Sequence, residues 1–307
     1  MDNSVLFIFN PRAGKGKIKY HLAGIMELYK SKGYDVISYA TAPDNNAESI
    51  VTNCLKESNF EYVICSGGDG TLNEIVNGVM KSEYKPKIVL IPLGTTNDYA
   101  KSLRIPQRIM KAAAVVFEKN HFSSDVGLLN TKYFVYIAAF GLFTDVSYET
   151  PQVNKNFMGR FAYILEGIKR IANLKSYSVN LEFENEQVSG EFIFGMISNS
   201  ISVGGFKGIT GKEVVLNDGY FEAIFIKKPN NILDLQNIIH SLTSGDLSSE
   251  FIIYAQIREI CIRSEMNIPW TIDGEYGGNM QQVEVKNISQ AISICTPLPV
   301  PAKITSS

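Results

Sequence analysis

The stretch SGGDGTLNEIVNGV, residues 66–79, decides how the first part of the chain folds. The residues before it, EYVICS (61–66), form a short, mainly apolar run that is typical of a buried strand. Within the stretch, apolar side chains recur at the spacing of one helix face: Leu72, Ile75, Val76 and Val79. The glycines at the start of the stretch therefore fall in a turn from a strand to a helix.

This turn is suited to binding phosphate through a divalent cation. Backbone N–H groups at a helix N-terminus, with no Cβ atoms between them, form a ready anion site. Asp69 stands among the glycines, and its carboxylate would repel a phosphate unless a divalent cation lay between them, as in phosphoryl-transfer sites. Asp-Gly and Gly-Gly are also ordinary turn formers, so the turn alone leaves a plain structural role open.

Length and composition fit a soluble protein of two domains. The chain has 307 residues, of which 45% are hydrophobic and 20% are charged. Its net charge of -2 argues against charge-driven binding of nucleic acid, so we expect no such partner. The N-terminus has no signal-peptide pattern, and the longest apolar run, residues 133–143, is too short to span a bilayer. We expect a cytoplasmic protein.

Cysteine and histidine give no sign of a zinc site. The four cysteines show no CxxC spacing, and the three histidines are scattered.

The two halves of the chain differ in the order of their predicted strands and helices. Up to residue 120, strand and helix patterns alternate, which predicts a mostly parallel sheet with helices on both faces. The predicted helices there include 18–32, 44–57 and 107–118. After residue 121, strand patterns crowd together with helices only at 156–172 and 230–243, which predicts an antiparallel β-sandwich. These strands are 122–129, 132–140, 177–184, 187–199, 219–228, 251–264 and 281–295.

This change in the order of predicted elements indicates two domains. An α/β domain spans 1–122 and a β-rich domain spans 123–295, while the proline-rich tail 296–307 either packs back on the first domain or frays.

Other strand ends in the first half carry compatible chemistry. NPRAGKGK (10–17) follows the first strand, TAP (41–43) follows the second, and PLGTTNDYA (92–100) covers the end of the fourth. Neither a Walker A loop nor a GxGxxG dinucleotide motif is present. Asn97 or Asp98 alone is explained as a helix cap. Because ligands of such folds bind beyond the carboxyl ends of the strands, the four ends together favour a nucleotide site.

Five motifs in this order resemble the diacylglycerol kinase catalytic-domain family, which includes bacterial soluble lipid kinases. The family is related to sphingosine and ceramide kinases and, further away, to the phosphofructokinase and NAD kinase folds. The resemblance covers nearly the whole chain. Its motifs are NPRAG (10–14), GGDGTLNE (67–74), PLGTTNDYA (92–100), LNDGYFE (216–222) and TIDGEYGG (271–278).

The resemblance implies ATP and Mg²⁺ as cofactors. It places the nucleotide along the strand ends of the first domain, where glycine N–H groups and threonine hydroxyls would hold phosphates and Asp69 would position Mg²⁺. The matching positions are Asn10, Pro11, Arg12, Ala13, Gly14, Thr41, Gly68, Asp69, Gly70, Thr71, Leu72, Asn73, Glu74 and Thr95.

The resemblance also implies three catalytic carboxylates. Glu275 would reach the crevice between the domains and accept the proton of the lipid hydroxyl, although an Asp-Gly turn alone suggests an exposed hairpin carboxylate. Asp125 would join Asp69 and Glu275 in a network of metal and water, although its position also suits a residue at the start of a strand.

A structural Mg²⁺ is implied at a second motif. Asp218 would bind the ion through its side chain, and Val215 and Tyr220 would bind it through main-chain oxygens. Asn-Asp-Gly is also an excellent turn sequence, so a plain turn remains the alternative.

The sequence gives weaker signals for the segments that would contact the lipid. Between 154 and 175 there are five basic residues and one acidic residue. The helix predicted at 156–172 is equally suited to lying on anionic lipid headgroups and to packing on the core with a solvated basic face. A glycine-rich loop, SVGGFKG (202–208), is a candidate border of the lipid entrance.

The leading functional hypothesis is an ATP-dependent lipid kinase that phosphorylates the hydroxyl of diacylglycerol to give phosphatidic acid at a membrane surface, with peripheral membrane association. The alternatives are a kinase for another lipid, such as sphingosine or ceramide, a kinase for a soluble substrate such as NAD, and a non-catalytic lipid-binding protein. The sequence leaves open whether the chain forms a homodimer.

Overall fold

The computed structural model describes residues 3–95, 97–142, 174–199, 213–244, 246–300 and 304–305. The chain divides into two compact units. Unit one consists of Met1–Val126 and Ser289–Ala302, and unit two consists of Gly127–Ile288 and Lys303–Ser307. The predicted helix at 156–172 and the loop at 202–208 lie outside the described residues.

Unit one is built on a parallel sheet with the strand order β2-β1-β3-β4. The strands are β1 (Ser4–Phe9), β2 (Asp35–Ala40), β3 (Tyr62–Gly67) and β4 (Lys87–Pro92). The helices are α1 (Leu22–Lys30), α2 (Ala47–Glu57), α3 (Asp69–Met80), α4 (Asp98–Ser102) and α5 (Ile109–Ala114). Two 3-10 helices span Ala13–Tyr20 and Val115–Glu118.

Burial in this sheet follows strand position. β3 is buried along its whole length, whereas β2 lies at the edge and most of its residues are exposed. The apolar face predicted for α3 is buried, with Leu72, Ile75, Val76 and Val79 at most 1% exposed. These side chains are removed from water on packing, which is the main term that holds a helix on a sheet.

The helix predicted at 18–32 is only partly correct. α1 begins at Leu22, and the 3-10 segment Ala13–Tyr20 before it is broken by a kink at residues 14–16. Gly14, Lys15 and Gly16 have φ of 57°, 59° and 72°. Left-handed backbone of this kind is incompatible with a regular right-handed helix, and glycine supplies it at no steric cost.

Unit two is mainly antiparallel β-structure with one described helix, α6 (Ile232–Ser244). Seven of its strands are short to medium in length: β6 (Lys132–Phe134), β7 (Ile137–Gly141), β8 (Tyr177–Phe183), β9 (Glu186–Ser198), β10 (Glu213–Val214), β11 (Phe221–Lys227) and β12 (Ile252–Ile257). The others are β13 (Glu259–Ile272) and the two-residue β15 (Ile304–Thr305). Two further strands run from one unit into the other along the chain, β5 (Asn120–Leu129) and β14 (Glu275–Thr296).

In unit two, β7 and β8 lie end to end between two longer strands. β9 pairs with both of them, and β13 pairs with the same two strands, always antiparallel. On the far side of β9, β11 pairs with β9, and β12 pairs with β11. The buried core of this unit is rich in aromatic side chains: Phe134, Phe140, Tyr177, Phe192, Phe225 and Trp270.

Two predicted strands of this half are interrupted. The strand predicted at 132–140 is β6 and β7, because the N–H groups of Val135 and Tyr136 bind the carboxylate of Asp273 rather than a neighbouring strand. The strand predicted at 251–264 is β12 and the first part of β13, which take different partners on either side of Arg258.

No helix among the described residues is long and apolar enough to cross a membrane.

Candidate active site

The carboxyl ends of the strands in unit one are joined side by side. The N–H of Asn10, after β1, donates to the carbonyl of Ser66 in β3 at 2.8 Å. The N–H of Thr41, after β2, donates to Phe9 at 2.9 Å, and that of Leu93, after β4, donates to Gly67 at 2.7 Å. The chain runs to opposite sides from β1 and β3, and in open parallel sheets such a switch point is where ligands bind.

The loop after β1 is held by its own asparagine. Oδ1 of Asn10 accepts the N–H of Arg12 at 2.9 Å, and the Asn10 carbonyl accepts the N–H of Ala13 at 3.2 Å. A Cβ atom on Gly14 would lie 3.3 Å from the carbonyl oxygen of Leu93. The loop that contains the predicted nucleotide positions 10–14 therefore packs closely on the residue after β4.

The turn between β3 and α3 has a glycine where a capping side chain usually stands. Gly68 is the N-cap residue of α3, with φ of -94° and ψ of -171°, and it has no side chain to accept an N–H of the first turn. A Cβ on Gly67 would lie 2.4 Å from Oγ1 of Thr71, so only glycine fits there. The first turn of α3 can therefore receive an anion.

Gly68 also touches the turn after β4. A Cβ on Gly94 would lie 2.7 Å from the Cα of Gly68, so the two backbones are in direct contact. The buried Asn97, with φ of 49°, accepts the N–H of Gly94 at 2.7 Å and donates to its carbonyl at 2.8 Å. Thr95, a predicted nucleotide position, is exposed beside this turn.

Two carboxylates lie near the same turn. Burial raises the pKa of the Cys65 thiol, and the nearby charges of Asp69 and Glu74 raise this pKa further. A carboxylate this near the turn would repel a bare phosphate, so the donor set suits a phosphate that carries a divalent cation. The residues present fit a nucleotide with a divalent metal.

The other predicted positions on α3 differ in what they can offer. Leu72 is 1% exposed and its N–H donates to Gly68, so its side chain belongs to the core. Nδ2 of the buried Asn77 donates to Oδ1 of Asn73 at 3.2 Å. Oε2 of Glu74 accepts the N–H of Ala47 at 2.9 Å, at the N-terminus of α2.

Asp125 is a fully buried carboxylate of unit one. Its Oδ1 accepts the N–H of Gln290 at 2.7 Å, and both residues belong to this unit. The start of the returning segment of β14 is thereby attached to β5. Asp125 is the sixth residue of β5, so it does not stand at the start of the strand, which was the alternative that the sequence leaves open.

Glu275 begins β14 at a two-residue hairpin in unit two. Ile272 pairs with Glu275, and the turn residues Asp273 and Gly274 have φ of 48° and 87°. Positive φ at both positions is the pattern of a type I′ turn. The Glu275 side chain is exposed, so its carboxylate is accessible to solvent and to a substrate.

Asp218 lies in a separate turn of unit two. Its Oδ1 accepts the N–H of Tyr220 at 3.0 Å, and the guanidinium of Arg258 lies 4.6 Å from the centre of the Tyr220 ring. Nearby, burial raises the pKa of the Glu222 carboxyl, and Asp218 raises it further. The described residues contain no group of three or more His, Cys, Asp or Glu side chains placed to hold a metal. A metal here would therefore rely on Asp218 and main-chain oxygens, a donor set that suits Mg²⁺ or Ca²⁺.

Within unit two, the turns that contain Asp218 and Glu275 are separate. In the sheet order β11-β9-β7-β13, the turns of Asp218 and Glu275 lie at the same end, because Glu222, Ser198, Ile137 and Ile272 are at adjacent levels. Three strand spacings correspond to roughly 14 Å. A metal at Asp218 would therefore not touch the Glu275 carboxylate directly.

Two residues hold the loops near the predicted site, although the sequence reasoning gave Asn97 only a helix-capping role and Asp273 only a turn. Asn97 fixes the turn after β4, and the buried Asp273 accepts three backbone N–H groups. Both have positive φ, a conformation in which Asn and Asp are enriched. The dipeptides Asn97-Asp98 and Asp273-Gly274 were the available signal, but sequence does not show which groups such side chains bind.

Known proteins match this chain along nearly its full length. The family described as diacylglycerol kinase catalytic domain matches residues 4–129. The diacylglycerol kinase of Staphylococcus carnosus (strain TM300) is 34% identical over 298 residues, covering 97% of this chain and 96% of the relative. That of Staphylococcus haemolyticus (strain JCSC1435) is 33% identical, covering 97% of this chain and 89% of the relative.

Solved structures share the fold. A crystal structure from Bacillus anthracis str. Sterne superposes with a TM-score of 0.79 at 22% identity, covering 96% of this chain and 95% of that chain. A second, of a diacylglycerol kinase from the same organism, has a TM-score of 0.73 at 20% identity, covering 96% of this chain and 97% of that chain. At these identities the likeness supports the mixed α/β, strand-rich fold alone.

Proposed function

Because the chain belongs to the diacylglycerol kinase family, we propose that it transfers the γ-phosphoryl group of ATP to the free hydroxyl of diacylglycerol, giving phosphatidic acid. The observation that carries this proposal is the glycine turn before α3. It combines helix N–H groups that no N-cap side chain can bind with the negative charge of Asp69. An N–H cradle beside a carboxylate is suited to a nucleotide phosphate that carries a cation.

The two units have different roles in this proposal. Unit one is the ATP-binding domain, with the nucleotide along the ends of its parallel strands. Unit two is the lipid-substrate domain, and its antiparallel strands enclose an aromatic core. The chain acts at a membrane surface, where its lipid substrate resides.

Each of the four predicted carboxylates is assigned a role. Glu275, exposed at its hairpin, accepts the proton of the lipid hydroxyl as general base. Asp69 would hold a divalent cation on the nucleotide phosphates, and the buried Asp125 would belong to the same network of metal and water. Mg²⁺, when bound, neutralises charge on the transferred phosphoryl group. Asp218, with the carbonyls of Val215 and Tyr220, would hold a second, structural ion.

An assay of phosphoryl transfer tests the proposal. Purified protein is incubated with labelled ATP and micelles of diacylglycerol, sphingosine, ceramide or monoacylglycerol, and separately with NAD. We expect labelled phosphatidic acid as the main product. Predominant labelling of sphingosine, ceramide or NAD would replace the proposed substrate, and absence of any transfer would favour a lipid-binding protein.

Glu275→Gln tests the general base. The change should lower kcat by about 100-fold or more and leave the KM for ATP nearly unchanged, because the nucleotide site is intact. The matched control is Glu265→Gln, which removes another exposed carboxylate from β13 and should behave like the unaltered protein. Near-normal turnover of Glu275→Gln would exclude Glu275 as the base.

A further inference from the structure

The hairpin that presents Glu275 is fixed by the side chain of Asp273. Oδ2 of this buried carboxylate accepts the N–H of Val135 at 2.7 Å, and Oδ1 accepts those of Tyr136 and Ile137, each at 3.0 Å. The Asp273 N–H donates in turn to the carbonyl of Ile137 at 2.9 Å. The hairpin is therefore attached by four hydrogen bonds to the connection between β6 and β7.

The same connection is bonded to the next strands of the sheet. The Tyr136 carbonyl accepts the hydroxyl of Ser198 at 2.8 Å and the N–H of Asn199 at 3.0 Å. Nδ2 of Asn199 donates to the carbonyl of Leu216 at 3.3 Å, two residues before Asp218. Ser198, Asn199 and Leu216 are at most 1% exposed. Buried hydrogen bonds thus run across the end of the sheet, from the Glu275 hairpin to the Asp218 turn.

The conformation of the turn does not explain why residue 273 is an aspartate. Its φ of 48° is one that asparagine and glycine adopt equally well. Three converging N–H donors, however, need an acceptor with several lone pairs and no competing donor, and among short side chains only a carboxylate supplies this. The chemistry of residue 273 is therefore directed at Val135, Tyr136 and Ile137.

We infer that Asp273 is a positioning residue for the phosphoryl-transfer reaction, which holds the Glu275 carboxylate in place through the buried bonds to Val135–Ile137. The inference rests on the proposed role of Glu275. Catalysis by a general base depends on placement, and an error of about 1 Å can cost on the order of 100-fold in rate.

The test replaces Asp273 with asparagine. This change keeps the size of the side chain and the conformation of the turn, but it places an NH₂ group, itself a donor, opposite the backbone N–H groups. We expect kcat to fall about 10- to 100-fold, with the KM for ATP unchanged. The matched control is Asp246→Asn. Oδ1 of this exposed carboxylate accepts the N–H of Ser248 at 3.0 Å, a similar local turn contact without the buried network. It should leave kcat unchanged.

A double-mutant cycle separates positioning from general loss of structure. If Asp273 acts through Glu275, then Asp273→Asn should add little to the loss already caused by Glu275→Gln. A loss of folded protein would instead multiply with the effect of Glu275→Gln. Full multiplication of the two effects, or an unchanged kcat for Asp273→Asn alone, would overturn the inference.

Hydrogen exchange provides a readout without activity. In Asp273→Asn, the amides of Val135, Tyr136 and Ile137 and those of Glu275 and Tyr276 should exchange faster than in the unaltered protein. Unchanged exchange at Glu275 would overturn the inference, whatever the substrate is. Faster exchange in a protein that does not phosphorylate diacylglycerol would contradict the proposed function alone.

Ser198→Ala serves if Asp273→Asn does not fold. It removes one bond to the Tyr136 carbonyl and should lower kcat a few-fold, with faster exchange at Tyr136 and Glu275. No change in either quantity would count against the inference.

Discussion

Gly68 and Gly94 set the distance between two loops of the nucleotide site. Their backbones touch, so either residue with a side chain would force the turn before α3 away from the turn after β4. Asn97 adds to this constraint, because its side chain holds both polar groups of Gly94. The separation of the loops is therefore fixed by the absence of two Cβ atoms and the presence of one amide.

Replacing Gly94 with alanine tests this close contact. The new Cβ would lie 2.7 Å from both Gly68 Cα and Asn97 Oδ1, which are not free to move. We expect a loss of about 1–3 kcal/mol of unfolding free energy and a raised KM for ATP. Denaturant unfolding and steady-state kinetics measure the two effects.

The control for this change is Gly24→Ala. Gly24 lies in α1, and its Cβ would meet only the flexible side chain of Met110 at 3.6 Å. Alanine in a helix should stabilise the protein by about 0.5–1 kcal/mol relative to glycine. Equal effects of the two changes would contradict the idea that Gly94 is required for backbone contact.

Single residues also mark how far sequence reasoning reaches. The Asp-Gly turn was expected from the motif TIDGEYGG, and an exposed Glu275 was the alternative that the turn alone suggested. The three N–H groups that bind Asp273 come from residues 135–137, more than 130 positions away in the chain. Local propensity describes a turn well, but a contact over that separation depends on tertiary folding.

At the scale of elements, α2 receives its N-terminal stabilisation from two different parts of the chain. Asn46 accepts the N–H of Ser49 at 3.0 Å as the N-cap residue. Glu74 of α3 accepts the N–H of Ala47 at 2.9 Å. A carboxylate at a helix N-terminus interacts favourably with the helix dipole as well as with the single N–H. This contact couples the packing of α2 and α3.

Glu74→Gln distinguishes this role from nucleotide binding. If the helix contact dominates, the change should lower the unfolding free energy by about 0.5–1 kcal/mol and leave the KM for ATP nearly unchanged. Glu57→Gln is the control, because Glu57 is exposed at the other end of α2, where a negative charge is unfavourable. A KM raised tenfold with unchanged stability would assign Glu74 to the nucleotide instead.

Elements were predicted better than their ends. The four parallel strands of unit one and the helices 44–57 and 230–243 are present with shifts of a few residues, because their apolar periodicity matches their burial. The start of the helix predicted at 18–32 was wrong, since periodicity from Ile18 onward ignores the left-handed backbone at 14–16. The strand predicted at 132–140 failed at the residues that bind Asp273.

At the scale of the molecule, the sequence predicted which kinds of element occur but not how the strands pair. The alternation of strands and helices implies a parallel sheet in unit one, since a crossover helix reverses the chain direction. In unit two, successive strands could pair in several antiparallel orders. For example, β8 and β7 lie end to end between β9 and β13, and these long-range pairings are not encoded in local patterns.

Charge distribution over the whole chain leads to a prediction about membrane binding. The net charge is -2, yet residues 154–175, most of which lie outside the described residues, carry five basic residues and one acidic residue. Each basic residue near an anionic surface contributes roughly 1 kcal/mol of attraction. Replacing four of them with glutamine should weaken binding to anionic vesicles by several kcal/mol if all four face the lipid. The four are Lys155, Arg160, Lys169 and Arg170.

Cosedimentation with vesicles of increasing anionic lipid content measures the binding. Because such attraction is screened over about 10 Å at ordinary ionic strength, binding of the unaltered protein should also fall as salt is added. The control variant carries the same change of charge at exposed lysines of unit one and should bind normally. These lysines are Lys30, Lys56, Lys85 and Lys111. Phosphorylation of a short-chain, water-dispersed diacylglycerol should survive in both variants, since the nucleotide site is untouched.

Two outcomes would contradict the prediction. Vesicle binding that responds neither to salt nor to the first four substitutions would exclude this segment from membrane docking. Equal weakening of vesicle binding by both variants would show that only the net charge of the protein matters.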